Sequence, residues 1–402
     1  MTAEELQQVL ERHRLWLEDN TQGQRADLSG LNLRRVKLRQ VDLSQAILKE
    51  TDLRGADLLG SKFASADLTS AKLRGSNLRR AEMVRAKLVG ADLTGAKMGT
   101  ADFSEADLTE ADLGWATLRG AILKAAKLIS ADLSLADLST AELTGADLSY
   151  ADLGATKLAE ADLRNVNFEG ANLRRADMHG ANAEGSNFTG ARLSSADLSS
   201  ADLRGAIFIN TKIRGADLRA ADLSGADLST ADLSGTNLQG AKLVGANLGG
   251  AKIRRAFIYR ADLSQVSAKG ADFSAANISG AKCSGANFNG AKFYRADLTR
   301  ADLRTADLSQ ADISRTDLTG ANLTGAFLYR SDLSRAKLYT ANLTGANLSE
   351  ANLNLAGLFA TNLSGANLNG ADLTEAEFNG ANLQGADLTG AKGMDMAKLT
   401  RG

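Results

Sequence analysis

The sequence has no proline, one cysteine and two histidines, and aromatic residues make up only 5% of its 402 positions. A lone cysteine cannot close a disulfide within the chain, which excludes a small secreted scaffold held by bridges. His13 and His179 are too far apart in sequence to suggest a histidine-rich metal site, and no GxxxxGK(S/T), GxSxG, HExxH or CxxC motif occurs. No run of about 18 apolar residues is present. Charges recur every few positions through the first 25 residues where a leader would be apolar. Neither a membrane span nor a signal peptide is expected, and the default address is the cytoplasm. Lys+Arg 47 against Asp+Glu 48 gives a net charge of −1, so no global charge steers the chain to nucleic acid.

What the sequence has instead is a period. From Ala26 to Gly390 it reads ADLSG, LNLRR, VKLRQ, VDLSQ and onward without insertion, and (390 − 26 + 1)/5 gives 73 pentapeptides. The third residue of each is apolar, with 53 Leu, 9 Phe, 5 Ile, 3 Met, 2 Ala and 1 Cys among them. The first is Ala in 58 repeats, the second is mostly Asp or Asn, and the last two are mainly Ser, Thr, Arg or Gly.

A period of five fits neither ordinary element. On an α-helix five residues advance about 500°, so the leucines would spiral around every side. In a flat strand an odd repeat turns alternate leucines into water. The remaining solution is a chain extended over three residues, with the first and third on one face, that turns a corner over the last two. Corners of one hand wind a solenoid with Ala and Leu inside.

The A(D/N)LXX pattern resembles the pentapeptide-repeat proteins over about nine tenths of the chain. The resemblance implies an all-β, right-handed quadrilateral β-helix with four repeats per coil. Like residues recur at the implied 20-residue spacing: Arg34, Arg54 and Arg74; Asn322, Asn342, Asn362 and Asn382; Arg295, Arg315 and Arg335. Such a solenoid would have about 18 coils and, at ~4.8 Å per rung, a length of ~90 Å. The expected organisation is a helical cap and linker over residues 1–25, one solenoid domain over 26–390, and a short C-terminal lid over 391–402. Thr2 and Glu5 have the spacing of a capping box, and Leu6, Val9, Leu10, Leu15 and Trp16 that of an amphipathic helix. Met394, Met396 and Leu399 supply the apolar residues of the lid. The uncovered alternative is weak end-to-end association of an otherwise monomeric rod.

Most candidate sites reduce to structure on this reading. Cys283, Phe63, Met83 and Met178 occupy the central position and read as core, with Cys283 too buried to ionise. Ala183 and Ala268 replace a leucine there and leave either a void or space for neighbouring aromatics. The recurring Asp or Asn reads as a turn residue bonding nearby backbone, not as a carboxylate dyad or calcium site. His179 reads as a surface residue. No catalytic, cofactor or metal residues are expected.

Individual character lies in the outward residues. Net charge is +6 over residues 26–90 (13 basic, 7 acidic), −7 over 101–165 (5 and 12) and +6 over 251–340 (14 and 8), with no local cancellation expected. In the third zone aromatics alternate with arginine: Phe257, Tyr259 and Arg260; Tyr294 and Arg295; Arg315; Phe327, Tyr329 and Arg330; Arg335 and Tyr339. Arg with Tyr is the composition enriched at binding hot spots and suits stacking on single-stranded nucleic acid as well. A second patch, Trp115 with Leu135 one coil on, is expected near Ile122 and Ile129. The expected function is a non-enzymatic, rigid scaffold binding protein partners with an acidic patch. Two alternatives stand beside it: nucleic-acid binding by the basic zones and, implied by the resemblance, protection of a type II topoisomerase by DNA mimicry. The basic zones depart from the continuous acidic surface that such mimics present. Long uninterrupted repeats of this kind resemble cyanobacterial members of the family.

Overall fold

The computed structural model describes residues 1–393 and contains two compact units, Met1–Asp202 and Leu203–Gly402. Each unit is a right-handed quadrilateral β-helix, and the first also carries the one helix among the described residues, α1 (Ala3–Glu18).

The coil has a period of 20 residues. The second residue of a repeat pairs in parallel with the second residue four repeats later, as in Asp27 with Ile47, Asp67 with Lys87 and Asp297 with Asp317. Leu28 N–H donates to the Ile47 carbonyl at 2.8 Å and Ile47 N–H returns a bond to Ala26 at 2.9 Å. Corners are closed by bonds such as Leu31 N–H to the Leu28 carbonyl at 3.2 Å. The fifth residue supplies the bend: at every repeat from Gly30 to Gly390 its φ lies between 52° and 71°, the value a type II turn requires of its third residue. Forty-two of these residues are not glycine. Each of them holds a left-handed conformation that costs about 1–2 kcal/mol.

The recurring Asp or Asn fixes the same corner. Its Oδ1 accepts the N–H of the residue two positions on, as in Ser29 to Asp27 at 3.0 Å and Thr299 to Asp297 at 2.9 Å. The turn-residue reading therefore holds. Amides stack it between coils, with Asn77 Nδ2 donating to Asp57 at 2.9 Å and Asn187 Nδ2 to Asn167 at 3.1 Å.

Inside, first and third residues fill the coil, and Leu148 and Leu233 are fully buried like their neighbours. Each such leucine contributes about 1.5–3 kcal/mol of transfer free energy, offset by the ordering of its repeat. Ser or Thr in place of the first Ala is buried as well. Thr51 donates its hydroxyl to the Leu28 carbonyl of the preceding coil at 2.8 Å and Thr361 to that of Leu338 at 2.7 Å, whereas Thr236 and Ser331 donate to carbonyls three residues before them. The two central alanines are matched by aromatics. Ala183 precedes Phe188, which stacks on Phe168 with centroids 4.9 Å apart, and Ala268 precedes Phe273, which stacks on Phe293 at 5.0 Å. Phe288, one rung on from Ala268, packs edge-on against both Phe273 and Phe293. The space among Leu233, Leu248, Leu263 and Phe273 has no room for a water molecule.

Helix α1 begins with the expected capping box: Glu5 N–H donates to Thr2 Oγ1 at 3.2 Å and Thr2 N–H to Glu5 Oε2 at 2.7 Å. Leu6 is buried, Val9, Leu10, Leu15 and Trp16 are half-buried, and His13 is fully buried. Leu6 and Leu10 share a groove with Val36 and Val41, large residues that replace Ala at the first position in the first coil. At the other end, Phe378, Leu383 and Leu388 are half-buried, whereas the central residues before them are fully buried. The expected lid residues Met394, Met396 and Leu399 lie outside the described residues.

Candidate interaction surface

Each unit has four sides that follow from its 20-residue coil. Repeats beginning at 26, 31, 36 and 41 are numbered first to fourth in the first unit and those at 206, 211, 216 and 221 likewise in the second, and within a unit every repeat 20 residues on falls on the same side. The second residue of a repeat lies on its side, and the fifth stands at the corner leading to the next.

The aromatic and basic candidates divide unequally among these sides. Phe257, Tyr259, Arg260 and Tyr339 belong to the third side, and Arg295, Arg315 and Arg335 stand at the corner where the second side meets it. Tyr294 lies on the second side, its ring 5.2 Å from Arg295 Cζ. Phe327, Tyr329 and Arg330 fall on the first side, opposite the third, where Arg330 sits 4.9 Å from the Tyr329 ring. The structure therefore gathers seven of the eleven around one side. It also adds Arg255 and Arg300 at the same corners and Phe359 on the side itself.

Within the second unit, charge pairing separates these arginines from others that hold a carboxylate. In the second unit Arg214, Arg254, Arg304 and Arg330 each hold a carboxylate at 2.5–2.7 Å, from Asp232, Asp272, Asp302 and Glu350. Arg255, Arg295, Arg315 and Arg335 on one edge of the third side, and Arg260 and Arg300 on the other, have no carboxylate within 4 Å among the described residues. The flanking Asp312 and Asp332 do not screen them directly. Asp312 Oδ1 accepts Ser314 N–H, and Asp332 Oδ1 accepts Ser334 N–H and Asn352 Nδ2.

The first basic zone keeps its net charge of +6, although several of its cations are paired. Arg34 and Arg54 both reach Asp52, at 3.0 and 2.5 Å, while Arg39 pairs with Asp57 at 2.6 Å and Lys49 with Asp67 at 3.4 Å. The hydrogen bond from Arg54 is the main reason the Asp52 carboxyl is pulled down to about 2.

The third side has a floor of small polar groups between aromatic ends. Ser279, Thr299 and Thr319 line an open groove with Tyr259, Arg260 and Arg300. The Arg260 stem passes over Gly280 and the Arg300 stem over Gly320. At the far end the Tyr339 ring lies against Gly357, where a Cβ would come within 2.4 Å of it.

The second patch is smaller than expected. Trp115 and Leu135 stand at one corner a coil apart, 66% and 44% exposed, with Trp115 N–H bonded to Ser134. Ile122 and Ile129 fall on the fourth and first sides, away from that corner, because neither shares its phase in the coil. Cys283 is fully buried, and burial pushes its thiol far up. His179 is exposed, and its Nδ1 lies 2.9 Å from Ser199 Oγ. Ser199 in turn donates to Asp197 at 2.5 Å. The hydroxyl proton thus points at the carboxylate, and the imidazole is left as donor to the serine, the reverse of the order that activates a nucleophile.

The family described as Pentapeptide repeats (8 copies) matches ten stretches between residues 26 and 392, beginning with 26–63 and ending with 356–392. The chain belongs to the pentapeptide repeat family. Among solved structures it is similar to HetL of the cyanobacterium Nostoc sp., a pentapeptide repeat protein involved in heterocyst differentiation regulation. Identity there is 34%, covering 63% of this chain and 88% of that one, with a TM-score of 0.19. A pentapeptide repeat protein of the Arabidopsis thaliana thylakoid lumen is also 34% identical, over 27% of this chain and 69% of that one, at a TM-score of 0.19. QnrB1, a plasmid-mediated fluoroquinolone resistance protein, is 24% identical over 50% and 89%, at a TM-score of 0.30. No curated protein is significantly similar to the chain. No helix among the described residues is long and apolar enough to cross a membrane.

Proposed function

We propose that this pentapeptide repeat protein is a non-enzymatic scaffold that docks a protein partner on the third side of its second unit, and that the partner is negatively charged where it meets that side. The observation that carries the reading is the set of six arginines bordering this side without a carboxylate, in a unit where arginines elsewhere hold one at 2.5–2.7 Å. The backbone does not ask for them. They stand at fifth positions with φ near +57°, where glycine would be free of strain. Stacked a rung apart, Arg295, Arg315 and Arg335 also repel one another, so an external anionic surface accounts for them better than folding does. DNA mimicry needs a continuous acidic surface, and these arginines oppose it.

The test places a photo-crosslinking residue at Ser279 and compares partner capture from the native cell with capture by a variant in which Arg295, Arg315 and Arg335 are replaced by Ser. Loss of the cross-linked protein at unchanged thermal stability supports the reading. Equal capture of every cross-linked protein by both forms rejects it.

A further inference from the structure

Resting on that reading, the geometry points to one kind of occupant: we infer that the third side receives an extended acidic segment of a protein partner, about six residues long, lying parallel to the coil axis with successive carboxylates directed to opposite edges.

The first argument is dimension. Arginines border this side from the coil of Arg255 to that of Arg335, four rung steps or ~19 Å, which an extended chain of about six residues at ~3.3 Å per residue spans. The side itself is three extended residues across, ~10 Å, which is the width of one strand with its side chains and too narrow for a folded domain to enter.

The second argument is where charge lies. Along the middle run Asp297 and Asp317, each holding its Thr two residues on, with Lys337 3.9 Å from Asp317. Carboxylates of a partner are repelled from the centre and drawn to both edges. An extended chain meets that demand, because its successive side chains point to opposite sides. One set reaches Arg295, Arg315 and Arg335, and the alternate set reaches Arg260 and Arg300. The hydroxyls of Thr299 and Thr319 donate to nothing among the described residues and face the groove, where a partner's backbone carbonyls can accept from them.

A single-stranded nucleic acid fits less well. Its phosphates run along one border of the strand and would leave one arginine edge unused, and its bases would lie over the two aspartates. The stacking rings are at the ends, Phe257 and Tyr259 at one and Tyr339 and Phe359 at the other, with Asn277, Ser279, Thr299 and Thr319 between. A base-by-base platform would need rings through the middle.

The experiment measures binding of fluorescent probes to the full chain by anisotropy: hexaglutamate, a twelve-residue alternating Glu-Ser peptide of the same charge, and single-stranded dodecathymidylate. The contiguous peptide serves both edges, whereas the alternating one puts every carboxylate on a single edge. Hexaglutamate should bind about five-fold more tightly than the alternating peptide, since two exposed ion pairs at about 0.5 kcal/mol each are added. Replacing Arg260 and Arg300 by Ser, or Arg295, Arg315 and Arg335 by Ser, should each remove that advantage, while Arg330→Ser on the opposite side should leave it unchanged. Circular dichroism melts verify folding, and the single variants Arg300→Ser and Arg315→Ser replace any multiple variant that does not fold. Equal affinity for the two peptides overturns the inference. If the oligonucleotide binds more tightly than both peptides and depends on the same arginines, the acidic segment is the wrong occupant while the docking side stands. If no probe responds to any edge variant, the docking side itself fails.

Discussion

The N–H of Ala26 donates to Nδ1 of His13 at 3.1 Å, so the first residue of the first repeat is tied to the middle of α1. The other ring nitrogen, Nε2, lies 3.1 Å from the Ser44 carbonyl and must carry the proton, since Nδ1 is accepting. One neutral imidazole therefore satisfies both a donor and an acceptor of the solenoid's open end. Burial lowers the His13 pKa most, and Arg25 adds to this; the Ser44 bond and the Asp42 charge oppose it without reversing it. Because the folded value lies below the unfolded one, the unfolded chain binds the extra proton. The contribution to stability is complete above the ordinary histidine value of about 6.5 and is lost as pH falls through the lower folded value. Thermal melts between pH 8 and pH 4.5 should show a fall at the acid end that His13→Ala lacks. That variant should itself lose about 1–3 kcal/mol at pH 8, because a buried donor and acceptor are left unpaired. A His13→Ala protein melting like the parent at both pH values would contradict the role.

Gly23 makes the return from α1 possible. Its φ is +72°, and a Cβ there would fall 2.1 Å from the Arg12 carbonyl oxygen and 2.8 Å from Trp16 N. The next residue, Gln24, donates its N–H to that same Arg12 carbonyl at 3.0 Å. Gly23→Ala adds left-handed strain to a clash with backbone that cannot step aside, and should cost about 2–4 kcal/mol in docking the helix. Hydrogen exchange of the α1 amides would report it: faster exchange in α1 with unchanged protection in coils beyond residue 100 is expected, and unchanged α1 protection would refute the close approach.

The coil was legible because one rule repeats. An apolar third residue and a small first residue at a period of five leave only a cornered solenoid, and the resemblance to pentapeptide-repeat proteins implied its four-repeat circumference, with which the 20-residue recurrence of Asn and Arg agrees. Thr2 with Glu5 gave the start of the helix. His13 was not legible as a cap residue, since its partners are backbone groups of Ala26 and Ser44, which leave no mark in side-chain identity. A signal was present in Leu31, Val36 and Val41, the three successive departures from Ala in the first coil, of which Val36 and Val41 line the groove beside α1. At the candidate surface, the Arg and Tyr composition and the column of Arg295, Arg315 and Arg335 were visible, but the placement of Phe257, Tyr259, Arg260 and Tyr339 on the side beside that column was not drawn from the sequence. The pairing of Arg330 with the Glu350 carboxylate, where Arg295 has only the Tyr294 ring, depends on side-chain reach.

The two central alanines test how strictly the interior is filled. Ala268 sits one rung before Phe288, whose ring stands edge-on to Phe273 and Phe293 at 5.7 and 5.2 Å. Restoring the majority residue with Ala268→Leu should destabilise the second unit by about 1–3 kcal/mol through overpacking, although leucine is the residue found at most central positions. Pairing it with Phe288→Leu should recover most of the loss, a non-additivity that a double-mutant cycle in denaturant would measure. Additive effects would mean that the rings do not use the space the alanine leaves.

The arginine column separates what the fold needs from what it tolerates. Arg295, Arg315 and Arg335 have φ of 57°, 57° and 58°, and glycine occupies the same corner at 215 and 235 in the same unit. Replacing all three by glycine removes left-handed strain worth about 1–2 kcal/mol per residue. Glycine's greater freedom in the unfolded chain offsets part of this. The contact of Arg295 with the Tyr294 ring at 5.2 Å is also lost, a term of about 0.5–1 kcal/mol at an exposed site. Repulsion within the column is relieved as well, most strongly at low ionic strength. The sum favours the variant, so its melting temperature should be equal to or above that of the parent, with the difference shrinking as salt is added. A fall in stability would show that these arginines hold the coils together, and the case for a surface kept for an external partner would lose its premise.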